Sequence, residues 1–173
     1  MIEVVLRAVR VDVGSSTPLL LLEEVGGERV LPIFIGASEA TAIAYALQHI
    51  ETPRPMSHDL LGNVITSLGA RLFAVEITHL VDNTFYANLR LLREGKEVLV
   101  SARPSDGVAL ALRVGAPLLV SDELMNEEGQ VLDVSDDDDV EGDSEGDAAQ
   151  SEAELVAELR DFLNNVRPED FDQ

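Results

Sequence analysis

The sequence contains no cysteine and no tryptophan, and its aromatic residues are limited to five Phe and two Tyr among 173 residues. Without cysteine there are no disulfides, no thiolate metal ligands and no cysteine nucleophile. This composition favours a reducing compartment, and we expect a cytoplasmic location. With so few aromatic residues, the core has to be built from Val, Leu, Ile and Ala.

Long apolar runs are also missing. No stretch approaches the roughly 18 consecutive apolar residues that indicate a membrane-spanning helix. Charged residues at Glu3, Arg7, Arg10 and Asp12 interrupt the N-terminal segment, so it lacks the apolar centre of a signal peptide. We therefore expect neither export nor membrane insertion.

Basic residues are scarce. The chain has 12 Lys and Arg against 33 Asp and Glu, for a formal net charge of −21. Residues 1–130 contain ten basic and 17 acidic side chains, whereas residues 131–173 contain two and 16. Broad electrostatic attraction usually dominates binding to nucleic acid. Any contact of this chain with nucleic acid would therefore have to be local.

The pattern of apolar residues predicts an α+β fold. Residues that suit strands occur in groups separated by turn residues, and three segments carry apolar residues at helical spacing. Strands grouped in hairpins with inserted helices predict a mixed, largely antiparallel, curved sheet rather than a doubly wound one. The strands are predicted at residues 2–13, 18–24, 29–35, 71–80, 84–93, 97–102 and 117–120, and the helices at residues 38–50, 57–68 and 105–114.

Serine residues are predicted to cap these helices. Ser38, Ser57 and Ser105 each stand at the start of a helical pattern, where a hydroxyl accepts a hydrogen bond from a free backbone N–H. The chain also resembles itself at a spacing of 67 residues, since residues 38–39 align with residues 105–106. An internal duplication explains this likeness, and so does a coincidence of capping chemistry.

The C-terminal part differs in composition from the rest. Residues 133–153 are dominated by Asp, Glu, Gly, Ser and Ala, which predicts disorder because such a segment repels itself and has little to bury. The residues lack the ligand pattern of a calcium loop. We divide the chain into a domain at residues 1–130, an acidic disordered linker at residues 131–150, and a C-terminal amphipathic helix with its tail at residues 151–173.

That C-terminal helix has a strongly apolar face and a possible capping box at Ser151 and Glu154. An apolar face has to be covered. The partner is the domain itself, a second subunit or another protein. The face consists of Leu155, Leu159, Phe162, Leu163 and Val166.

The first cluster of candidate functional residues precedes the second helix. Arg54, His58 and Asp59 at a helix start would bind a phosphate, ligate a metal ion or act as a general base. In the structural alternative, Ser57 caps the helix, Asp59 interacts with the helix dipole and His58 bonds to the backbone.

The second cluster consists of Arg103, Ser105 and Asp106 at the start of the third helix. A guanidinium beside free helix N–H groups suits an anionic oxygen, and Asp106 would hold a divalent cation or pair with Arg103. Glu39 has the same position in the first half and adds a carboxylate. Its simplest role alone is a favourable dipole interaction. His49 and His79 have no neighbouring partners in sequence, and we assign them no role.

With these segments in view, the sequence resembles the bifunctional nuclease (BFN) domain family over roughly residues 2–125. The resemblance implies a mixed α+β domain, a homodimer, and nuclease activity on RNA and DNA as reported for some plant members. Ser101 departs from the pattern, because many members have Asp there. The matching segments are residues 31–36 (LPIFIG), 38–40 (SEA), 54–60 (RPMSHDL), 84–87 (TFYA), 102–106 (ARPSD), 109–113 (ALALR) and 116–117 (AP).

The leading hypothesis is a nuclease acting on single-stranded RNA or DNA. Arg54 and Arg103 would hold a phosphodiester, with Ser105 and Glu39 also at the substrate, and a divalent cation such as Mg²⁺ is one way to complete the site. The catalytic acid, base or cation-binding groups would be His58, Asp59 and Asp106.

The alternative hypothesis is a non-catalytic, dimeric regulatory module that recruits a protein partner through the C-terminal helix. The two hypotheses differ in a geometric expectation. Catalysis requires residues 54–59 and 103–106 to share one cleft in the folded chain.

Overall fold

The computed structural model describes residues 1–12 and 14–131 of the chain. This part contains eight strands and four helices. The strands are β1 (Ile2–Val11), β2 (Pro18–Glu24), β3 (Arg29–Phe34), β4 (Ala70–Val81), β5 (Thr84–Arg93), β6 (Lys96–Ala102), β7 (Leu118–Val120) and β8 (Gln130–Val131). The helices are α1 (Ala37–Leu47), α2 (Ser57–Ser67), α3 (Pro104–Val114) and α4 (Asp122–Glu128).

All eight strands form one mixed sheet in the order β6-β5-β4-β7-β1-β2-β3-β8. Every neighbouring pair is antiparallel except β4 and β7, which run parallel. The short strand β7 joins two three-stranded meanders, and each meander is followed by an 11-residue helix. The predicted α+β class is confirmed, and this repeated order matches the 67-residue spacing seen in the sequence.

Helix α3 is the centre of the packing. Seven of its 11 residues are buried, including the continuous run Val108–Ala111. It contacts α1, α2, β4 and β5. At Gly107 a Cβ atom would lie 2.6 Å from Val75 Cγ1, so the missing side chain allows α3 to lie against β4. Each fully buried Val, Leu or Ile stabilises the fold by about 1.5–3 kcal/mol, and these residues fix the position of α3.

The predicted serine caps are wrong. The residues at the N-cap positions are Gly36, Met56 and Arg103 instead. None of the three predicted serines caps its helix. In α3 the reason is Pro104, which has no N–H and therefore suits the first helical position. Ser105 consequently lies inside the first turn, where it is 6% exposed.

In α1 and α2 a carboxylate replaces the predicted hydroxyl at the helix start. The Asp59 carboxylate accepts a hydrogen bond of 2.9 Å from the Met56 N–H. The Glu39 side chain folds back over Gly36, where a Cβ atom would meet Glu39 Oε2 at 2.3 Å. Ser38 lies within the helix and donates to that same carboxylate.

Two short elements near residue 131 were not predicted. Helix α4 begins after Ser121, whose hydroxyl accepts a hydrogen bond from the Leu124 N–H at 3.2 Å. Its Leu124 and Met125 side chains are buried. Strand β8 then pairs with β3 and includes residue 131, which the sequence placed in the linker. The rest of the predicted linker and the C-terminal helix lie outside the described residues.

Two predicted boundaries differ from the structure by two residues or more, and several others differ by one residue. Strand β1 ends at Val11 rather than at residue 13, and α1 ends at Leu47 rather than at residue 50. Within residues 1–12 and 14–131, no helix is long and apolar enough to cross a membrane.

Candidate active site

The N-terminal ends of α1, α2 and α3 bring four charged or titratable side chains together. Arg103 donates to Asp106 through Nε and Nη2, at 2.7 and 3.0 Å. Its Nη1 lies 2.8 Å from Glu39 Oε1, and His58 Nε2 lies 3.2 Å from Asp106 Oδ1. We call Glu39, His58, Arg103 and Asp106 the four-residue cluster. It unites the two sequence motifs.

The helix starts explain why these side chains meet. Asp106 and Glu39 lie in the first turns of α3 and α1, where the positive end of the helix dipole stabilises a carboxylate. Arg103 is the residue before α3 and reaches Asp106 three residues later. Because α1 and α2 both pack on α3, Glu39 reaches Arg103 from α1 and His58 reaches Asp106 from α2.

The carboxylates of the cluster are stabilised in their ionised form. Hydrogen bonds from Arg103 lower the pKa of Asp106 most, and His58 lowers it further, against an opposing effect of burial. Burial raises the pKa of Glu39, but its own backbone N–H, Ser38 and Arg103 together bring that pKa below its ordinary value. The hydrogen bond with Asp106 raises the pKa of Arg103. The cluster therefore contains two carboxylates and one guanidinium at neutral pH.

The ionised state of Asp106 also determines the tautomer of His58. An ionised carboxylate only accepts hydrogen bonds, so His58 Nε2 has to carry the proton in this contact. In the neutral imidazole ring, Nδ1 then has a free lone pair. An aspartate that orients an imidazole in this way is a common arrangement for general acid–base catalysis.

Exposure differs across the cluster. The His58 side chain is 15% exposed and that of Asp106 is 30% exposed, whereas that of Arg103 is 64% exposed. A cleft of about 330 Å³ opens beside Arg103 and Glu39, and Ser105 also lines it. The cluster therefore has a covered imidazole and an accessible guanidinium.

Asp59 belongs to a separate ion pair, although it follows His58 directly in sequence. Its carboxylate accepts a hydrogen bond from Arg113 Nε, and Arg113 also donates to the carbonyl oxygens of Ala109 and Ala42, at 2.8 and 3.0 Å. Burial raises the pKa of Asp59, but the Met56 N–H and Arg113 bring it below its ordinary value. Arg113 thus connects α1, α2 and α3.

Arg113 was not among the predicted site residues. Its side chain is 11% exposed, and a partly buried arginine needs partners because an unpaired charge is costly to bury. The sequence signal for Arg113 was its place in the last turn of α3, directly after the apolar and glycine residues 107–112. Asp59, predicted as a catalytic residue, thus pairs with Arg113 in the structure, and its catalytic role stays a prediction.

Arg54 lies in the loop between α1 and α2. The residue is exposed, and it makes no ion pair with any residue of the described ranges. His79, to which no role was assigned, stacks on Tyr86 with ring centroids 4.6 Å apart. It lies on β4, outside the cluster.

The donor groups do not fit a preformed cation site. Within residues 1–12 and 14–131, no three His, Asp or Glu side chains are grouped so that they could hold a metal ion. The guanidinium of Arg103 forms ion pairs with the carboxylates of Glu39 and Asp106. A metal ion would have to displace this guanidinium before it could bind these carboxylates. Ser101, on the edge strand β6, adds no carboxylate.

Comparison with known proteins gives the family to which this chain belongs. Residues 20–133 match the bifunctional nuclease domain, so the chain belongs to the bifunctional nuclease domain family. It is 45% identical over 169 residues to an uncharacterized protein of Mycobacterium tuberculosis, covering 98% of this chain and 97% of that protein.

Two plant relatives carry a functional name. The chain is 26% identical over 113 residues to Bifunctional nuclease 1 of Oryza sativa subsp. japonica, which covers 64% of this chain and 34% of the plant protein. It is 25% identical over 124 residues to Bifunctional nuclease 2 of Arabidopsis thaliana, with 69% and 38% covered. The chain thus spans little more than a third of these plant proteins.

The lowered pKa values predict how stability depends on pH. A carboxylate with a pKa below its unfolded value stabilises the folded state above that unfolded pKa, and this contribution is lost as the pH falls through the folded pKa. We expect the free energy of unfolding, measured by urea denaturation, to decline below about pH 4, where ordinary Asp and Glu side chains become protonated.

Asp106→Asn should make this decline shallower, because one of the responsible carboxylates is gone. Glu127→Gln is the matched control, since Glu127 is exposed and makes no ion pair within the described part of the chain. A decline in Asp106→Asn parallel to that of the wild type would contradict the assignment.

Proposed function

We propose that this protein is a nuclease that hydrolyses phosphodiester bonds in single-stranded RNA or DNA, with His58 and Asp106 at the catalytic centre. The observation that carries the proposal is the 3.2 Å contact between His58 Nε2 and Asp106 Oδ1. It joins two motifs 48 residues apart, as the catalytic hypothesis requires. Membership of the bifunctional nuclease domain family supports it. We place the activity in the cytoplasm, which the cysteine-free sequence favours.

In the proposed reaction, His58 Nδ1 accepts a proton from the attacking water. The water oxygen forms a bond to phosphorus, and the bond between phosphorus and the leaving oxygen breaks. The imidazolium then returns its proton to that leaving oxygen. Asp106 stabilises the transient imidazolium through Nε2. A positioned imidazole of this kind contributes roughly 10²–10⁴-fold to a rate.

Arg103 is the proposed phosphate-binding group. A guanidinium has five N–H groups that can donate. Two of them donate to Asp106, and one on Nη1 faces Glu39. At least two N–H groups remain for a phosphate oxygen, and the side chain is 64% exposed. Glu39 and Asp106 keep the guanidinium in position, and exposed Arg54 supplies a second cation from the neighbouring loop.

The two carboxylates also weaken this site for an anion. Their charge offsets that of Arg103, so the cluster does not attract phosphate as an arginine-rich patch would. The proposed substrate is therefore bound by a few directed hydrogen bonds. We route no step through a divalent cation, because one would have to displace Arg103.

A non-catalytic role is the second candidate, and a specific observation favours it. Each charged side chain of the four-residue cluster has an ion-pair partner within the protein, and so have Asp59 and Arg113. Structural ion-pair networks have this appearance too. In this alternative the protein is a dimeric regulatory module with a protein partner at residues 151–173, which lie outside the described residues.

A cleavage assay distinguishes the two candidates. His58→Gln should lower the single-turnover rate on a single-stranded oligonucleotide about 10²–10⁴-fold, with an unchanged circular dichroism spectrum. Asp106→Asn should lower it as well, because the imidazole loses its orienting group. His79→Ala is the matched control, since His79 lies outside the cluster, and it should cleave as fast as the wild type.

The same assay run with EDTA and with added Mg²⁺ tests the dependence on a cation. We expect cleavage to persist in EDTA. If folded His58→Gln retained the wild-type rate after stringent purification, cleavage would not depend on His58 and the catalytic proposal would be wrong.

We also propose that the protein is a homodimer paired through β6. This strand is the edge of the sheet next to β5, and six of its seven residues are exposed. Val98, Leu99 and Val100 are 45%, 61% and 41% exposed. A long apolar edge invites pairing with another chain. Antiparallel pairing centred on Leu99 would place Val98 opposite Val100 of the second copy.

Light scattering tests the proposed dimer. The wild type should show twice the chain mass of 18.7 kDa, and Leu99→Lys should show the mass of one chain because a charge is placed in the apolar pairing. Val131→Lys, on the short strand β8 at the opposite edge, should stay dimeric. A monomeric wild type, or a Leu99→Lys variant that stays dimeric, would contradict the proposal.

A further inference from the structure

The cleft beside Arg103 has a mixed lining that the proposed reaction does not use. It lies between the end of β3, the start of α1, the turn between β4 and β5, and the start of α3. Phe34 and Phe85 give it aromatic surface, while Asn83 and Thr84 add polar groups. Arg103 and Glu39 connect it directly to the four-residue cluster.

Phe34 is the most unusual residue of this cleft. It is the last residue of β3 and pairs with Leu19 of β2, yet it is 61% exposed. Its neighbours in sequence, Ile33 and Ile35, are both buried. A large aromatic side chain held on a strand and left open to solvent is a surface on which a flat ligand can stack.

We infer that this cleft binds one unpaired nucleobase, stacked on Phe34, next to the phosphate held by Arg103. A volume of about 330 Å³ is near the lower end of the range of roughly 300–1,000 Å³ for small-molecule sites, which suits a single nucleotide. The amide of Asn83 and the hydroxyl of Thr84 can hydrogen-bond to the edge of a base. This inference rests on the proposed function and names its substrate more closely.

The position of Asn83 supports a defined cleft. Asp82 and Asn83 both have left-handed backbone conformations, with φ of 48° and 57°. Two such residues between antiparallel strands form the tight hairpin turn that matches the twist of the sheet. Asn83 is therefore held at the cleft by the β4–β5 hairpin.

Two consequences follow from a base-binding cleft. A base within a duplex is paired and stacked on both faces, so single-stranded substrates should be preferred. Binding should also depend weakly on salt, since the proposed phosphate contacts come from two residues, Arg103 and Arg54. With about −0.7 per neutralised phosphate on a single strand, the slope of log K against log salt should lie between roughly −0.7 and −1.4.

Calorimetric titration with 5′-AMP and with ribose 5-phosphate tests the inference. Loss of one stacked base costs about 1–3 kcal/mol, so Phe34→Ala should weaken 5′-AMP about 5- to 150-fold and leave ribose 5-phosphate unchanged. Phe34→Tyr should restore binding. Phe73→Ala is the control, since Phe73 is an exposed strand residue, 47% accessible, outside this cleft.

Three results would overturn the inference: no binding of 5′-AMP to the wild type, unchanged binding to Phe34→Ala, or equal weakening of both ligands. The test is separable from the catalytic one. A protein that cleaves oligonucleotides but binds 5′-AMP independently of Phe34 would retain the proposed function and lose the base site. A protein that binds 5′-AMP through Phe34 but does not cleave oligonucleotides would retain the base site and lose the proposed function.

Discussion

The carboxylate of Asp106 is the group on which the site depends. It accepts two hydrogen bonds from Arg103 and the contact from His58. It lies in the first turn of α3, the most deeply buried helix among the described residues. Since α3 is fixed by its packing on β4 and β5, Asp106 has a fixed position as well. The orientation of the imidazole and of the guanidinium both follow from that position.

A second ion pair secures the same three helices from another side. Arg113 is near the end of α3, and it binds Asp59 of α2 and the carbonyl oxygen of Ala42 of α1. A partly buried charge that loses its partner destabilises the fold, so this arrangement holds the helices in one relative orientation. The four-residue cluster can thus be open to solvent and still have defined geometry.

The sequence was sufficient for most of the fold, because strands and helices with clear apolar periodicity are determined locally. It was not sufficient for helix starts, where Pro104, Glu39 and Asp59 competed with the predicted serines. It also missed α4, whose seven residues are mostly acidic. The contact between His58 and Asp106 could not be predicted, since it depends on how α2 packs against α3. That Asp59 would not join it follows from helix geometry, because adjacent residues point about 100° apart.

The proposed catalytic role of His58 requires that Asp106 holds the imidazole with Nδ1 free. Long-range ¹H–¹⁵N NMR of the full chain measures the tautomer of each histidine, and the chain has only three. His58→Gln identifies the relevant signals by their loss. We predict that the neutral His58 ring carries its proton on Nε2 and has an unprotonated Nδ1. A proton on Nδ1 with a free lone pair on Nε2 would contradict it, because Asp106 would then have no proton to accept.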